Sequence, residues 1–89
     1  MSSYQRRATV ERRLHDGRWL VQPLDASTPT QLAGSAPLIW ALLEDHHTAQ
    51  EITSVLLERF HDDVEVIGGG VADAIEMMLR ERLIEEVAR

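Results

Sequence analysis

Four histidines, His15, His46, His47 and His61, are the first side chains to test for chemistry, because an imidazole ligates metals and moves protons near neutral pH. A metal site needs ligands that converge, as a His pair four residues apart on a helix does. His46 and His47 are adjacent and project apart, and His15 and His61 are distant in sequence, so the spacing supports no metal centre. Nucleophilic catalysis needs a hydroxyl or thiol beside a placed base. Cysteine is absent, and Ser27, Thr28, Ser35, Thr48 and Ser54 each read as turn, cap or surface residues. Gly68-Gly69-Gly70 could offer backbone amides to an anion, but it matches neither a dinucleotide nor a P-loop pattern, and no basic residue follows before Arg80. These residues point away from an enzyme; neither a metal nor a cofactor is expected.

The elements that would position any site come next. A chain of 89 residues makes one domain with a small core, and without cysteine no disulfide or thiolate-bound metal can reinforce it. The polar, basic opening "MSSYQRRATVERR" and the lack of any run long enough to cross a bilayer predict a soluble, cytoplasmic protein that makes no membrane contact. The net charge of -6 divides into +3 over residues 1–24, where every base is Arg, and -9 over residues 25–89. Such an acidic body disfavours nucleic acid, whose affinity rests on neutralising phosphates.

Asp16-Gly17 is a two-residue turn signal between segments rich in Val, Leu, Trp and Thr, which predicts a hairpin with strands near 8–14 and 18–24. Residues 1–7 are read as a flexible N-terminus and 8–89 as the domain. "DASTP" is turn chemistry, after which Thr30–Ala33 returns as a short third strand. Pro29 at its start favours a sheet edge. Ser35 and Pro37 open a helix in which Ala36, Ile39, Trp40 and Leu43 form an apolar stripe, flanked by Leu38 and Leu42. Thr48-x-x-Glu51 is a capping box that starts a second, amphipathic helix through Ile52, Val55, Leu56 and Phe60. "VEVIGGG" reads as a breaker. A third helix then covers about 71–82, and Leu83, Ile84 and Val87 return to the core.

A short open strand beside an apolar helix is the arrangement to which an extended peptide adds as a further strand. These residues also carry a resemblance. The basic hairpin, the short strand ending at Leu32, "APLIWALLEDHHTAQEITSVLLERF" and "VADAIEMMLRERLIEE" together resemble the PqqD-like proteins, the recognition elements for precursors of ribosomally synthesised and post-translationally modified peptides (RiPPs). Its carriers are Ala36, Ile39, Trp40, Leu42, Leu43, Thr48, Glu51, Ile52 and the closing Leu83-Ile84, and the similarity spans about residues 8–86. Gly68–Gly70 depart from the polar residues usual in the family.

The resemblance implies an α+β, winged-helix-like fold, a three-stranded antiparallel sheet followed by three helices. It implies a non-catalytic protein, monomer or dimer, that binds a precursor's leader peptide between the third strand and third helix. The peptide is then handed to a modifying enzyme such as a radical S-adenosylmethionine enzyme, a cyclase or a leader peptidase. By position, the strand wall falls on Thr28, Pro29, Thr30, Gln31 and Leu32, and the helix wall on Ala72, Ile75, Glu76 and Leu79. Ile75 belongs equally well to the core. A winged-helix DNA-binding regulator is the alternative, against which the last segment carries five acids and two Arg. An adaptor or oligomerisation module using the same open edge is a third reading.

Overall fold

The computed structural model describes residues 2–87; Met1 and residues 88–89, the outer ends of the expected N-terminal segment and domain, lie outside the described residues. In chain order the elements are β1 (Ser3–Arg6), β2 (Thr9–Arg13), β3 (Trp19–Pro23), β4 (Thr30–Leu32), α1 (Ala36–Leu42), β5 (His47–Thr48), α2 (Ala49–Arg59), α3 (Val64–Arg80) and β6 (Ile84–Val87). The class is α+β, and the expected sheet is present as β2-β3-β4, antiparallel throughout, with three helices after it.

The hairpin turn differs from the expected two-residue form. Leu14 N–H donates to the Arg18 carbonyl at 2.8 Å and Gly17 N–H to the Leu14 carbonyl at 3.0 Å, leaving His15, Asp16 and Gly17 as a three-residue loop. Gly17 has φ +88°, the left-handed position that such a loop reserves for glycine.

Residues 3–6, expected to be flexible, are instead the centre strand of a second sheet, β5-β1-β6. Ser3 pairs with Thr48 on one side and Val87 on the other, and its hydroxyl donates to the Val87 carbonyl at 3.1 Å. The basic composition of the segment hid this, because the Arg6 guanidinium finds partners in the fold. It lies 4.5 Å over the Trp40 ring and donates through Nε to the Trp40 carbonyl at 2.8 Å. The buried Trp40 indole N–H donates to the Glu11 carboxylate from β2, so Trp40 joins α1 to both sheets.

The core stripe of α1 is buried as its spacing predicts, with Ile39, Trp40 and Leu43 fully enclosed. Val21 and Leu32 come from the first sheet, Ile52 and Leu56 from α2, Val71, Ile75 and Met78 from α3, and Leu83 and Ile84 from the chain end. Thr48 and Glu51 complete the capping box of α2. Ser35 occupies the N-cap of α1, yet its side chain makes no capping hydrogen bond.

The third helix starts at Val64, seven residues before the expected Val71, and runs through all three glycines. Asp63 caps it, its carboxylate accepting the Glu65 N–H at 2.8 Å. Burial of Ile67 and Val71, one turn apart on the core face, carries the helix across a stretch whose local propensity opposes it. Tertiary packing therefore overrides the breaker reading.

Candidate functional site

Strand β4 lies at one edge of its sheet, and the hydrogen-bond parity of the hairpin decides which of its backbone groups face outward. Leu14 N–H bonds to Arg18, and Leu24 N–H bonds to Ala8, so the 14–18 and 8–24 pairs are the hydrogen-bonded ones between β2 and β3. Because hydrogen-bonded and non-bonded pairs alternate, Leu20 and Gln22 point toward β2, while Trp19 and Val21 point toward β4. Trp19 faces Leu32 and Val21 faces Thr30, so Thr30 and Leu32 spend their backbone groups inside the sheet. Within β4 the outward N–H and C=O belong to Gln31 alone.

Two residues past Leu32 the chain turns at Gly34, with φ +61°, and Gly34 and Ser35 line an open cavity of about 400 Å³. Leu56 and Phe60 from the end of α2 and Val66, Ile67 and Gly70 from the first half of α3 form its apolar walls, and Asp62 is its one charged lining residue. Val66 is 60 % exposed and Phe60 45 %, unusually high for side chains of this type beside a core. The cavity is within the size range of small-ligand and side-chain pockets.

The nine residues expected to form the site are not all together. Gln31 is exposed at the edge, Thr30 is half-buried and Leu32 is core. Thr28 is exposed in the loop before β4, and Pro29 lines a separate hollow of about 150 Å³ on the outer sheet face with Val10, Arg12, Leu20 and Gln22. On α3, Ile75 is 5 % exposed and belongs to the core, whereas Ala72 and Glu76 are exposed and Leu79 is 37 % exposed.

None of these four lines the larger cavity. At 3.6 residues per turn, Ala72 lies roughly 200° around the helix from Gly70, and Glu76 and Leu79 follow Ala72. Gly68, one turn before Ala72, faces α2, since an added Cβ there would sit 4.0 Å from Thr53. The cavity side is instead Val66 and Gly70. A helix starting at Val71, as expected from the sequence, leaves both of these residues out. The available signal was "VEVI", four residues after Phe60, whose Val64, Val66 and Ile67 are too apolar a cluster for an exposed joint.

A charged clamp holds the loop that feeds β4. Asp25 accepts from both Arg7, at 3.4 Å, and Arg82, and Arg7 also donates to the Arg82 carbonyl at 3.0 Å. Arg82 has φ +63° at the end of α3, where Arg82 N–H bonds to Leu79 and Leu83 N–H to Met78, the paired bonds of a Schellman cap. Among the described residues no three His, Asp or Glu side chains group as a metal site would require, and no helix is long and apolar enough to cross a membrane.

Comparison with known proteins gives one family. The family model described as Coenzyme PQQ synthesis protein D (PqqD) matches residues 18–84, which includes β3, β4 and all three helices. Searches of curated proteins and of solved structures returned no match.

Proposed function

The chain belongs to the PqqD family of RiPP recognition elements, and from that premise we propose that it captures the leader segment of a ribosomally made precursor peptide by strand addition. The family consists of accessory proteins rather than enzymes. The leader lies along β4, exchanges hydrogen bonds with the Gln31 N–H and C=O, and inserts apolar side chains into the cavity between the Gly34-Ser35 turn and the first half of α3. Working in the cytoplasm, the chain presents the bound precursor to a modifying enzyme, of the radical S-adenosylmethionine, cyclase or leader-peptidase kind.

One observation carries this reading: an outward backbone pair on an open strand edge, at Gln31, stands three residues from Gly34 in the lining of an apolar cavity of the same molecule. Edge and cavity are the two components that β-augmentation uses, the first for main-chain pairing and the second for side-chain selection. The acidic character of α3, with Glu65, Asp73 and Glu76 against Arg80, suits a peptide better than a phosphate backbone.

The test is an NMR titration of the ¹⁵N-labelled chain with synthetic peptides tiling a candidate precursor's leader. Saturable shifts at Gln31, Gly34, Ser35, Phe60, Val66 and Gly70 are expected. Gln31→Pro removes the outward amide at an edge position that tolerates proline, and should weaken binding, whereas Gln31→Ala keeps the amide and should not. Thr30→Pro is the wrong probe, because it removes an amide that pairs with Val21. Unchanged affinity in Gln31→Pro would exclude strand addition.

A further inference from the structure

We propose that the leader taken by this chain carries two apolar residues two positions apart with a Lys or Arg beside them, the basic group pairing with Asp62. The proposal rests on the leader-binding reading and adds the chemistry of the peptide. The apolar half follows from geometry. A strand added to β4 turns alternate side chains to one face, so residues i and i+2 look the same way. A cavity of about 400 Å³ walled by Leu56, Phe60, Val66 and Ile67 has room for more than one aliphatic or aromatic side chain.

The basic half follows from charge. Asp62 is the single ionisable residue in the cavity lining. Its Oδ1 accepts the Asp63 N–H at 2.7 Å, and no cation pairs with it among the described residues. Its surroundings deepen the negative potential: Glu58, Asp63 and Glu65 outweigh Arg59 over residues 58–65. Arg6, Arg7 and Arg82, by contrast, are committed to Glu11 and Asp25. An apolar pocket with one unpaired carboxylate at its lining selects an apolar anchor with a neighbouring cation and rejects one with a neighbouring acid.

The experiment selects a randomised twelve-residue peptide display library on the whole immobilised chain, in parallel with Asp62→Asn and Asp62→Lys. Asn keeps the oxygen that accepts the Asp63 N–H, so this variant retains the local turn, and circular dichroism verifies the fold of both. The wild-type chain should enrich peptides with an apolar pair at i and i+2 and Lys or Arg within two residues of it. Asp62→Asn should keep the apolar pair, lose the basic preference and bind the wild-type winners about two- to fivefold more weakly, as for an exposed ion pair. Asp62→Lys should select an acid at that place. An apolar pair enriched without a basic neighbour, or a basic preference that survives both variants, overturns this proposal while leaving leader binding intact. Absence of any enriched peptide overturns both.

Discussion

Gly69→Ala should stabilise the protein, a result that a hinge at the glycines would forbid. Three consecutive glycines lie inside α3, and none has a positive φ; the left-handed glycines are Gly17 and Gly34. An added Cβ at Gly69 meets nothing within 4 Å, so the substitution introduces no clash. In a helix interior Ala is favoured over Gly by about 1 kcal/mol, chiefly because glycine's freedom must be given up on folding. For a domain of this size that gain corresponds to a rise of about 4–8 °C in Tm. Gly34→Ala is the opposing control, since its φ of +61° should make Ala cost about 1–2 kcal/mol. Urea unfolding and thermal melts followed by circular dichroism measure both. A loss of stability in Gly69→Ala would mean that α3 does not continue through 68–70, and the cavity wall at Val66 and Gly70 would fall with it. Gly70→Ala adds a functional readout. It should gain stability like Gly69→Ala, yet weaken peptide binding, because Gly70 lines the cavity.

Other changes probe the supports of the site. Glu11→Leu leaves the enclosed Trp40 indole N–H without its acceptor and should cost about 1–3 kcal/mol in urea unfolding, whereas Glu11→Gln, which keeps an oxygen, should cost less. Arg82→Gly relieves the left-handed backbone but removes an exposed partner of Asp25, so the terms should nearly cancel; Arg82→Val, β-branched at φ +63°, should destabilise by about 1–2 kcal/mol or more. The Arg18 backbone N–H donates to Asp16 at 3.1 Å and, with the Arg18 side chain, holds that carboxyl below the ordinary Asp value. A depressed folded-state value means that the turn's contribution is present above the unfolded-state value and lost as pH falls through the folded one. A carboxyl-detected NMR titration should therefore place the Asp16 midpoint lower than that of an unstructured Asp.

Much of the fold was legible because the relevant signals were local. The Thr48–Glu51 capping box, the Ala36-Ile39-Trp40-Leu43 stripe and the edge strand after Pro29 depend on spacing over a few residues, and all three are present. The second sheet was not legible, since β1 pairs with β6 across some 80 residues of chain, Ser3 opposite Val87. Its polar sequence, Ser-Tyr-Gln-Arg, gives no alternation to read, and the distant partners of Arg6, among them Trp40, Leu43 and Ile84, lie far outside any local window. The start of α3 failed for a related reason. Its glycines argue for a break until Ile67 and Val71 are seen to bury against the core, a contact no local window contains. The late start left Val66 and Gly70 outside the expected helix, whereas Ala72, Glu76 and Leu79, the helix-wall residues that the family resemblance implies, do not line the cavity.

The hydrogen-bond parity of β4 limits what strand addition can supply. With Gln31 the one residue of β4 whose N–H and C=O face outward, the edge offers about two main-chain hydrogen bonds, each worth roughly 0.5–1.5 kcal/mol net. Association itself costs on the order of 4–15 kcal/mol, so these bonds set direction and register but cannot alone hold a peptide. Each apolar side chain fully enclosed by the cavity contributes about 1.5–3 kcal/mol, and two of them equal or exceed the whole edge. Gln31→Pro should consequently weaken a leader by a factor of about ten rather than abolish its binding, the equivalent of one lost bond together with a carbonyl left poorly aligned. Filling the cavity should do more, and Val66→Trp, at a position already 60 % exposed and so free of core strain, is the sharper perturbation. Isothermal titration with any peptide that binds the wild-type chain ranks the two. If Gln31→Pro is the more damaging, the backbone edge rather than the cavity dominates recognition, and the division of labour argued from Thr30, Gln31 and Leu32 is wrong.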